Sequence, residues 1–230
     1  MSKMQISVIL PVFNAERYLA EAIESALTQT YPPLEVIVVD DGSSDGSAAL
    51  AQRYSQVRFL TQPHLGVSVA RNRGVAAAQG DVLAFLDADD LWLPHKLACQ
   101  VAALLENPAL DMVFGHVDEF SSPEIAEQAE PALYHAKQGV AGLIPTTLLI
   151  RKSAFVQAGP FEPHWQVAQF FEWYARAREK GLRSHVVPEV IARRRLHGDN
   201  LGIRQQQQQS EYVQIAKALL DRRRRAGKGM

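Results

Sequence analysis

Asp81-Val82-Leu83-Ala84-Phe85-Leu86-Asp87-Ala88-Asp89-Asp90 decides the fold of this chain. An unbroken apolar run ends abruptly in three carboxylates within four positions. A short run without polar alternation reads as a strand buried on both faces. The acids then fall where that strand leaves its sheet, at the carboxyl edge. In open α/β sheets that edge is where ligands bind. Three acids this close repel one another; at about 4 Å and an effective dielectric of about 20, each pair costs about 4 kcal/mol. Positive charge must offset that repulsion, and a divalent cation is the natural candidate.

The same grammar repeats outward from this stretch. Ile6, Val8, Ile9 and Leu10 form a strand stopped by Pro11, and Asn14 is the expected N-cap of the helix that follows. Tyr18, Leu19, Ala22, Ile23, Ala26 and Leu27 share one face of that helix, which Tyr31-Pro32-Pro33 ends. Val36-Ile37-Val38-Val39 is a second buried strand, and it too runs into acids, in Asp40-Asp41-Gly42-Ser43-Ser44-Asp45-Gly46. A helix over 48–54, a strand over 57–60 and a helix over 67–78 come next, with Gly80 placed to end the last. Pro94 opens another helix in the N1 position that it favours. Such alternation implies a parallel sheet with right-handed crossovers. After residue 110 the pattern weakens. Strands are expected over 112–117 and 146–150, and a long polar loop over 121–138 carries Glu124, Glu127 and Glu130. An amphipathic helix over 166–180 stops at Gly181, and a glutamine run at 205–209 starts a final helix through Leu220.

Composition sets the bounds. A chain of 230 residues, 47% of them hydrophobic, supports one sizeable core and argues against wholesale disorder. A formal net charge of −1 says little about partners. The C-terminal part is basic, however, with Arg193-Arg194-Arg195 and Arg222-Arg223-Arg224-Arg225. The last run reads as a solvated tail or as a contact for an anionic surface, expected to be the inner face of a membrane rather than nucleic acid. Cys99 stands alone, so no intrachain disulfide forms, and its apolar helical setting marks it as a packed core thiol. With no signal-peptide pattern and no apolar run near 20 residues, the expected location is the cytoplasm.

Two local patterns carry chemistry, each with a plain alternative. Asp40-Asp41-Gly42-Ser43 suits an ordinary turn, or it offers carboxylates to base N–H groups or ribose hydroxyls. A calcium loop is excluded because its bidentate acid would fall on Gln52. A dinucleotide-binding loop is excluded because Leu10-Pro11-Val12-Phe13-Asn14 stands where a glycine-rich turn is required. In Gly66-Val67-Ser68-Val69-Ala70-Arg71-Asn72-Arg73-Gly74, Arg71 and Arg73 are either solvated surface or neutralisers of phosphate beside the acidic tips.

Four blocks together resemble one family. Ile6 to Asn14, Val38-Val39-Asp40-Asp41-Gly42-Ser43-Ser44-Asp45, Ala70-Arg71-Asn72-Arg73-Gly74 and Phe85-Leu86-Asp87-Ala88-Asp89-Asp90 look like the signature blocks of family 2 glycosyltransferases. The resemblance is strong over residues 4–105 and weaker through Leu149–Phe155 and Gly159–Glu162. It implies the GT-A fold, a Rossmann-like, mostly parallel central sheet flanked by helices, with a smaller acceptor-side C-terminal part. On that template the single domain divides into a nucleotide-sugar-binding half (1–110), an acceptor-side half (111–204) and a C-terminal helix with a basic tail (205–230). Pro11 and Phe13 would line the base pocket, although the family more often has Tyr where Phe13 stands. Asp41, with Asp40, would bind the uracil or ribose of a UDP-sugar, and Arg71 would face base and diphosphate. Asp87-Ala88-Asp89 would be the DxD motif, with Asp87 towards the ribose and Asp89 ligating Mg²⁺ or Mn²⁺ on the diphosphate. Cations of this kind are held by one or two carboxylates plus substrate phosphates.

One departure matters. The family's second half often carries a Glu-Asp pair whose Asp is the general base, shortly before an aromatic-rich helix ending in Arg. Aligned on Arg176, that pair falls on Gln169-Phe170. Glu172 is the nearest carboxylate, and it is either the base or the i+4 partner of Arg176. Asp118 and His116 are further candidates. His197, after Arg193-Arg194-Arg195, sits where relatives place a His that joins the metal or diphosphate, and those arginines would supply charge to a departing diphosphate. The expected activity is inverting, metal-dependent transfer of a sugar from a UDP-sugar to an acceptor hydroxyl, with the loop 121–138 and the C-terminal segment closing over the donor. The competing expectations are a nucleotide-sugar-binding protein without its base, and a nucleotidyltransferase.

Overall fold

The computed structural model describes residues 3–122, 137–165, 167–198 and 211–217. Strands β1 (Ile6–Val12), β2 (Glu35–Asp40), β3 (Val57–Thr61) and β4 (Val82–Phe85) alternate with helices α1 (Glu16–Leu27), α2 (Ser47–Ala51) and α3 (Val67–Ala77). A two-residue strand β5 (Leu91–Trp92) precedes α4 (Lys96–Glu106). The second half holds β6 (Met112–Ser121), β7 (Val140–Gly142), β8 (Leu149–Arg151), α5 (Lys152–Ala158), α6 (Gln169–Glu179) and β9 (Ser184–Leu196). Residues 211–217 form a further helix.

All these strands join one sheet in the order β3-β2-β1-β4-β8-β6-β9-β5, with β7 paired to β6. The first four are mutually parallel, as the alternation requires. Beyond β4 the sheet is mixed: β8 runs antiparallel between β4 and β6, and β9 returns parallel to β6. The chain builds to one side of β1 and then crosses through α3 to put β4 on the other. In open α/β sheets such a reversal, outside the carboxyl ends of β1 and β4, is where a ligand crevice forms.

The apolar runs lack alternation because both faces of the sheet are covered. Val8, Leu10, Val36 and Val38 pack with Leu19, Ile23 and Leu97 on one face. Ile9, Ile37, Val39 and Phe85 pack with Phe155, Phe161 and Trp173 on the other. Each such side chain, fully buried, contributes about 1.5–3 kcal/mol.

Pro11 shows how the crevice is opened. It lies inside a central strand, where a missing N–H is normally excluded. But β4 pairs with β1 only as far as Ile9, whose carbonyl accepts the N–H of Leu86. Pro11 faces the same side two residues on, where β4 has already left, so no ladder bond is lost.

Several local expectations are corrected. Asn14 does not cap α1; its φ of 48° puts it in the left-handed region, and its side-chain oxygen accepts the N–H of Ser44 at 2.8 Å. The first turn of α1 is capped across the chain, by Ser47 on the N–H of Ala15 and by Asp45 on the N–H of Glu16. Glu16 returns the contact by accepting the N–H of Gly46. Gly80 is not a helix cap either, because α3 ends in extended backbone at Ala78. A Cβ at Gly80 would lie 2.4 Å from the carbonyl oxygen of Gln5, so close strand approach requires the glycine. Pro94 precedes the His95 N-cap of α4 instead of occupying N1. The strand expected at 112–117 continues to Ser121, and that expected at 146–150 is shorter and later, with a 3-10 turn at Pro145–Thr147 before β8 at Leu149–Arg151. Cys99 is half-buried, and burial pushes its thiol up. Most of the loop 121–138, the glutamine run and the Arg222–Arg225 tail lie outside the described residues. Among the described residues no helix is long and apolar enough to cross a membrane.

Candidate active site

The acids after β4 do not act alike. Asp87 accepts a hydrogen bond from Nη2 of Arg71 at 2.6 Å, and its side chain stays 30% exposed. Asp89 lies 2.9 Å from Nε2 of His197 and stays 28% exposed. Asp90 turns the other way and is buried, accepting from the Thr146 hydroxyl at 2.7 Å and from the N–H of Arg195 at 3.0 Å. Burial first, and then the charges of Asp89 and Asp87, hold the Asp90 carboxyl well above the usual carboxylate range. The repulsion read from the sequence is therefore partly relieved by the protein itself, through Arg71, His197 and the inward turn of Asp90.

Arg195 fixes the turn that carries these acids. Its Nε donates to the carbonyl of Asp89, its Nη2 meets Glu21 at 2.9 Å, and its guanidinium lies over the rings of Tyr18 and Phe120. Tyr18 also touches the His197 ring, with centroids 5.0 Å apart. Of the three consecutive arginines, Arg194 pairs with Glu119 and Arg193 covers Phe120. Two of the three thus have acidic partners already, which corrects the expectation of a free cationic cluster.

Arg71 is buried, while Arg73 is exposed. Arg71 rests 5.7 Å above the ring of Phe161, and Asn72 fixes that residue by bonding both its N–H and its carbonyl. Nε and Nη1 of Arg71 are buried without a hydrogen-bond partner, as is the Ser68 hydroxyl one turn earlier. Buried donors left open beside half-exposed carboxylates call for an acceptor from outside the chain.

The tip of β2 is arranged differently. Asp41 is 2% exposed. One of its oxygens accepts from Gln62 Nε2 and the N–H of Leu65, the other from the N–H of Gly66, with Nδ1 of His64 2.9 Å away. Asp41 thereby organises the segment that leads into α3 and Arg71. Asp40 accepts from the N–H of Ser43 through one oxygen, and its Oδ1 is buried without a partner. Pro11 is buried at the end of β1, and Phe13 is exposed, its ring stacked on His64 at 3.9 Å.

On the acceptor side, Glu172 is buried, and both its oxygens are held by Arg176 at 3.2 and 3.1 Å. Arg176 also donates to the carbonyls of Ala158 and Pro160. The i+4 pairing is thus present, and it engages both oxygens of the buried carboxylate. Asp118 accepts the N–H of Gly139 at 2.7 Å, and His116 lies within β6. The sequence reading missed His64, Tyr18, Phe161 and Asn72. None has a neighbour in sequence that betrays its partner, although Asn72 and Phe161 lie in stretches that resemble the family.

The comparisons agree on kinship. The model of "Glycosyl transferase family 2" matches residues 7–163. The chain belongs to glycosyl transferase family 2. This member is 33% identical over 217 residues to an uncharacterized glycosyltransferase of Nostoc sp., covering 86% of this chain and 66% of the relative. It is 33% identical over 196 residues to an uncharacterized glycosyltransferase of Haemophilus influenzae, covering 81% of this chain and 78% of the relative. Residues 1–349 of Staphylococcus aureus TarS in complex with UDP-GlcNAc superpose with a TM-score of 0.69 at 20% identity, covering 86% of this chain and 61% of that one. The same TarS fragment has also been solved with UDP. The GT-A fold of these neighbours is the fold of this glycosyl transferase family 2 chain, which spans about three-fifths of the solved TarS fragment.

The side chains suit a hard divalent cation. Asp87 and Asp89 keep carboxylate oxygens at the surface of the switch point, and His197 adds a nitrogen donor that Mn²⁺ accepts. Among the described residues no three His, Cys, Asp or Glu side chains form a ready cage. Phosphate oxygens would have to complete the coordination, as is usual for Mg²⁺.

Proposed function

We propose that this family 2 chain transfers a sugar from a nucleotide-sugar, with a UDP-sugar the favoured class, to an acceptor hydroxyl with inversion at the anomeric carbon. One observation carries the reading. Asp87 and Asp89 stand half-exposed at the switch point beside the open donors of the buried Arg71. Diphosphate oxygens would answer both needs, accepting from the guanidinium and, with the carboxylates, holding a divalent cation when one is bound. The UDP and UDP-GlcNAc complexes of TarS support the donor class.

The donor half, 1–110, would seat the base between Pro11, Phe13 and His64, with the open Oδ1 of Asp40 as hydrogen-bond acceptor and Asp41 acting through the loop it organises. Mg²⁺ or Mn²⁺, when bound through Asp87, Asp89 and the neighbouring His197, would supply Lewis-acid stabilisation of charge on the leaving diphosphate. Arg71 would bind the same oxygens from the protein side. The acceptor side, 111–204, would orient the hydroxyl for attack opposite the leaving group, where a carboxylate takes its proton. Glu172 serves this reading as structure, tying α6 to the end of α5 through Arg176, and not as that base.

Calorimetry with UDP-GlcNAc and Mn²⁺, followed by an assay of UDP release, tests the proposal. The expected result is cation-dependent binding and turnover. Binding without UDP release from any UDP-sugar would instead make the chain a nucleotide-sugar-binding protein. Pyrophosphate release from a nucleoside triphosphate and a sugar phosphate would make it a nucleotidyltransferase.

A further inference from the structure

The turn from Asp87 to Asp90 closes on itself, with the N–H of Asp90 donating to the carbonyl of Asp87 at 3.1 Å. Arg195 holds it from β9, through its backbone N–H to Asp90 and its Nε to the carbonyl of Asp89. A hydroxyl holds it from another direction. Oγ1 of Thr146 donates to Oδ2 of Asp90 at 2.7 Å and faces the N–H of Asp87 across a longer 3.4 Å. A hydroxyl has one proton and two lone pairs, so giving the proton to Asp90 leaves it able to accept from Asp87. The first and last residues of the turn thus meet at the same oxygen.

That oxygen is itself firmly placed. Thr146 is fully buried, in the middle of the 3-10 turn at Pro145–Thr147. Its carbonyl accepts Nε1 of Trp92 at 2.8 Å, and the carbonyl of Thr147 accepts Nε2 of Gln100 at 2.7 Å. The Thr147 hydroxyl adds bonds to the carbonyls of Gly142, at the end of β7, and of Ile144. β5, α4 and β7 therefore all fix the group against which the acid turn rests. Being buried, Thr146 bears on a ligand only through that turn.

We infer that Thr146 is a positioning residue for the transfer, whose hydroxyl sets how Asp87 and Asp89 stand towards a shared divalent cation. The inference rests on the transferase reading above. Without the hydroxyl, Asp90 loses one of its donors and the N–H of Asp87 loses the oxygen it faces. The ends of the turn can then part, and both outward carboxylates shift with them. Groups that orient the ligands of a metal in this way tune its binding as well as its chemistry. Mg²⁺ is the sensitive probe, because it demands near-ideal octahedral geometry, whereas Ca²⁺ accepts flexible arrangements.

Thr146→Val keeps the shape of the side chain and deletes the hydroxyl. In the presence of UDP, its calorimetric affinity for Mg²⁺ should fall about 10-fold or more, and that for Ca²⁺ by less than about threefold. The Mg²⁺ concentration for half-maximal UDP release from UDP-GlcNAc should rise by a similar factor, while KM for UDP-GlcNAc at saturating Mg²⁺ stays within about twofold. Thr146→Ser returns the hydroxyl and should bring Mg²⁺ affinity back to within about threefold of wild type. Equal losses for Mg²⁺ and Ca²⁺, wild-type Mg²⁺ affinity in a folded Thr146→Val, or no recovery in Thr146→Ser would reduce Thr146 to a packing residue and overturn the inference. Should Thr146→Val not fold, Thr146→Cys takes its place, with a thiol that bonds only weakly, and wild-type Mg²⁺ affinity there overturns the inference equally. A wild-type protein that binds no divalent cation in the presence of UDP, and releases no UDP from UDP-GlcNAc, would instead overturn the transferase reading, and this inference with it.

Discussion

Both the second and the fourth strands end in acids, and the two ends do opposite things. At the tip of β2, Asp41 is sealed in and its carboxylate accepts three donors of its own chain. At the tip of β4, Asp87 meets the Arg71 guanidinium and Asp89 the His197 ring, and both keep nearly a third of their side-chain surface in solvent. Asp40 and Asp90 add a second inversion, an acid with an open oxygen at the first tip and a fully engaged one at the second. The lesson is that acidity marks a strand end as a candidate, while the count of internal donors decides its use. A carboxylate saturated by N–H groups builds a loop; one that keeps oxygen surface in solvent can take a ligand.

The comparison breaks most easily at Asp89. Asp89→Ala should lower Mn²⁺-dependent UDP release from UDP-GlcNAc by about 100-fold or more, the cost of deleting one preorganised charge-stabilising group. Its unfolding free energy should change by less than about 1 kcal/mol, because the carboxylate is partly solvent-exposed. Undiminished turnover in that variant would remove the cation from the mechanism.

Asp41→Asn should reverse the balance. An amide cannot accept from all the groups that Asp41 now serves, so the loop into α3 loses about 2–4 kcal/mol. Urea unfolding checks this, and a variant as stable as wild type that nonetheless fails to bind UDP would return Asp41 to direct contact with the nucleotide. Glu172→Gln extends the test to the acceptor side with a smaller effect. Breaking its buried pair with Arg176 should cost about 1–3 kcal/mol, softened by the carbonyls of Ala158 and Pro160 that Arg176 keeps. Its kcat and pH profile should stay near wild type, and a large fall in kcat at unchanged stability would make Glu172 the base.

How much could be read beforehand follows from the same physics. Val36 to Val39 and Val82 to Leu86 announce buried parallel strands because no polar residue interrupts them. The blocks that carry Asp41, Arg71, Asp87 and Asp89 are contiguous, so local sequence exposes them. What stayed hidden depends on contacts over long separations. β9 was missed as a 13-residue strand because Arg193, Arg194 and Arg195 look solvated, whereas Arg195 is buried between Tyr18 and Phe120. The insertion of β8 between β4 and β6 leaves no trace in its short apolar run. Asn14 was misread because Asn suits both an N-cap and the left-handed region, and Ser47 and Asp45 had already taken the cap.

The smallest effect concerns a buried lysine with no acidic partner among the described residues. Just after the β4 tip, Lys96 is fully buried at the start of α4, with Nζ donating to Oε1 of Gln100 at 2.6 Å and lying 4.2 Å from the Trp92 ring. Burial holds its ammonium well below the ordinary lysine value. The unfolded chain therefore binds a proton that the folded chain does not, across the interval between the folded value and about 10.4. Within that interval stability rises with pH and is lost as pH falls towards the folded value. Lys96→Met should remove this dependence while filling much the same volume, at a cost of about 1 kcal/mol for leaving the Gln100 oxygen without its donor. Urea midpoints taken from pH 7 to pH 10 should climb for wild type and change less for the variant. A parallel climb in both would mean that Lys96 keeps its proton when folded, and that the β4 side of the sheet buries a true cation beside its acids.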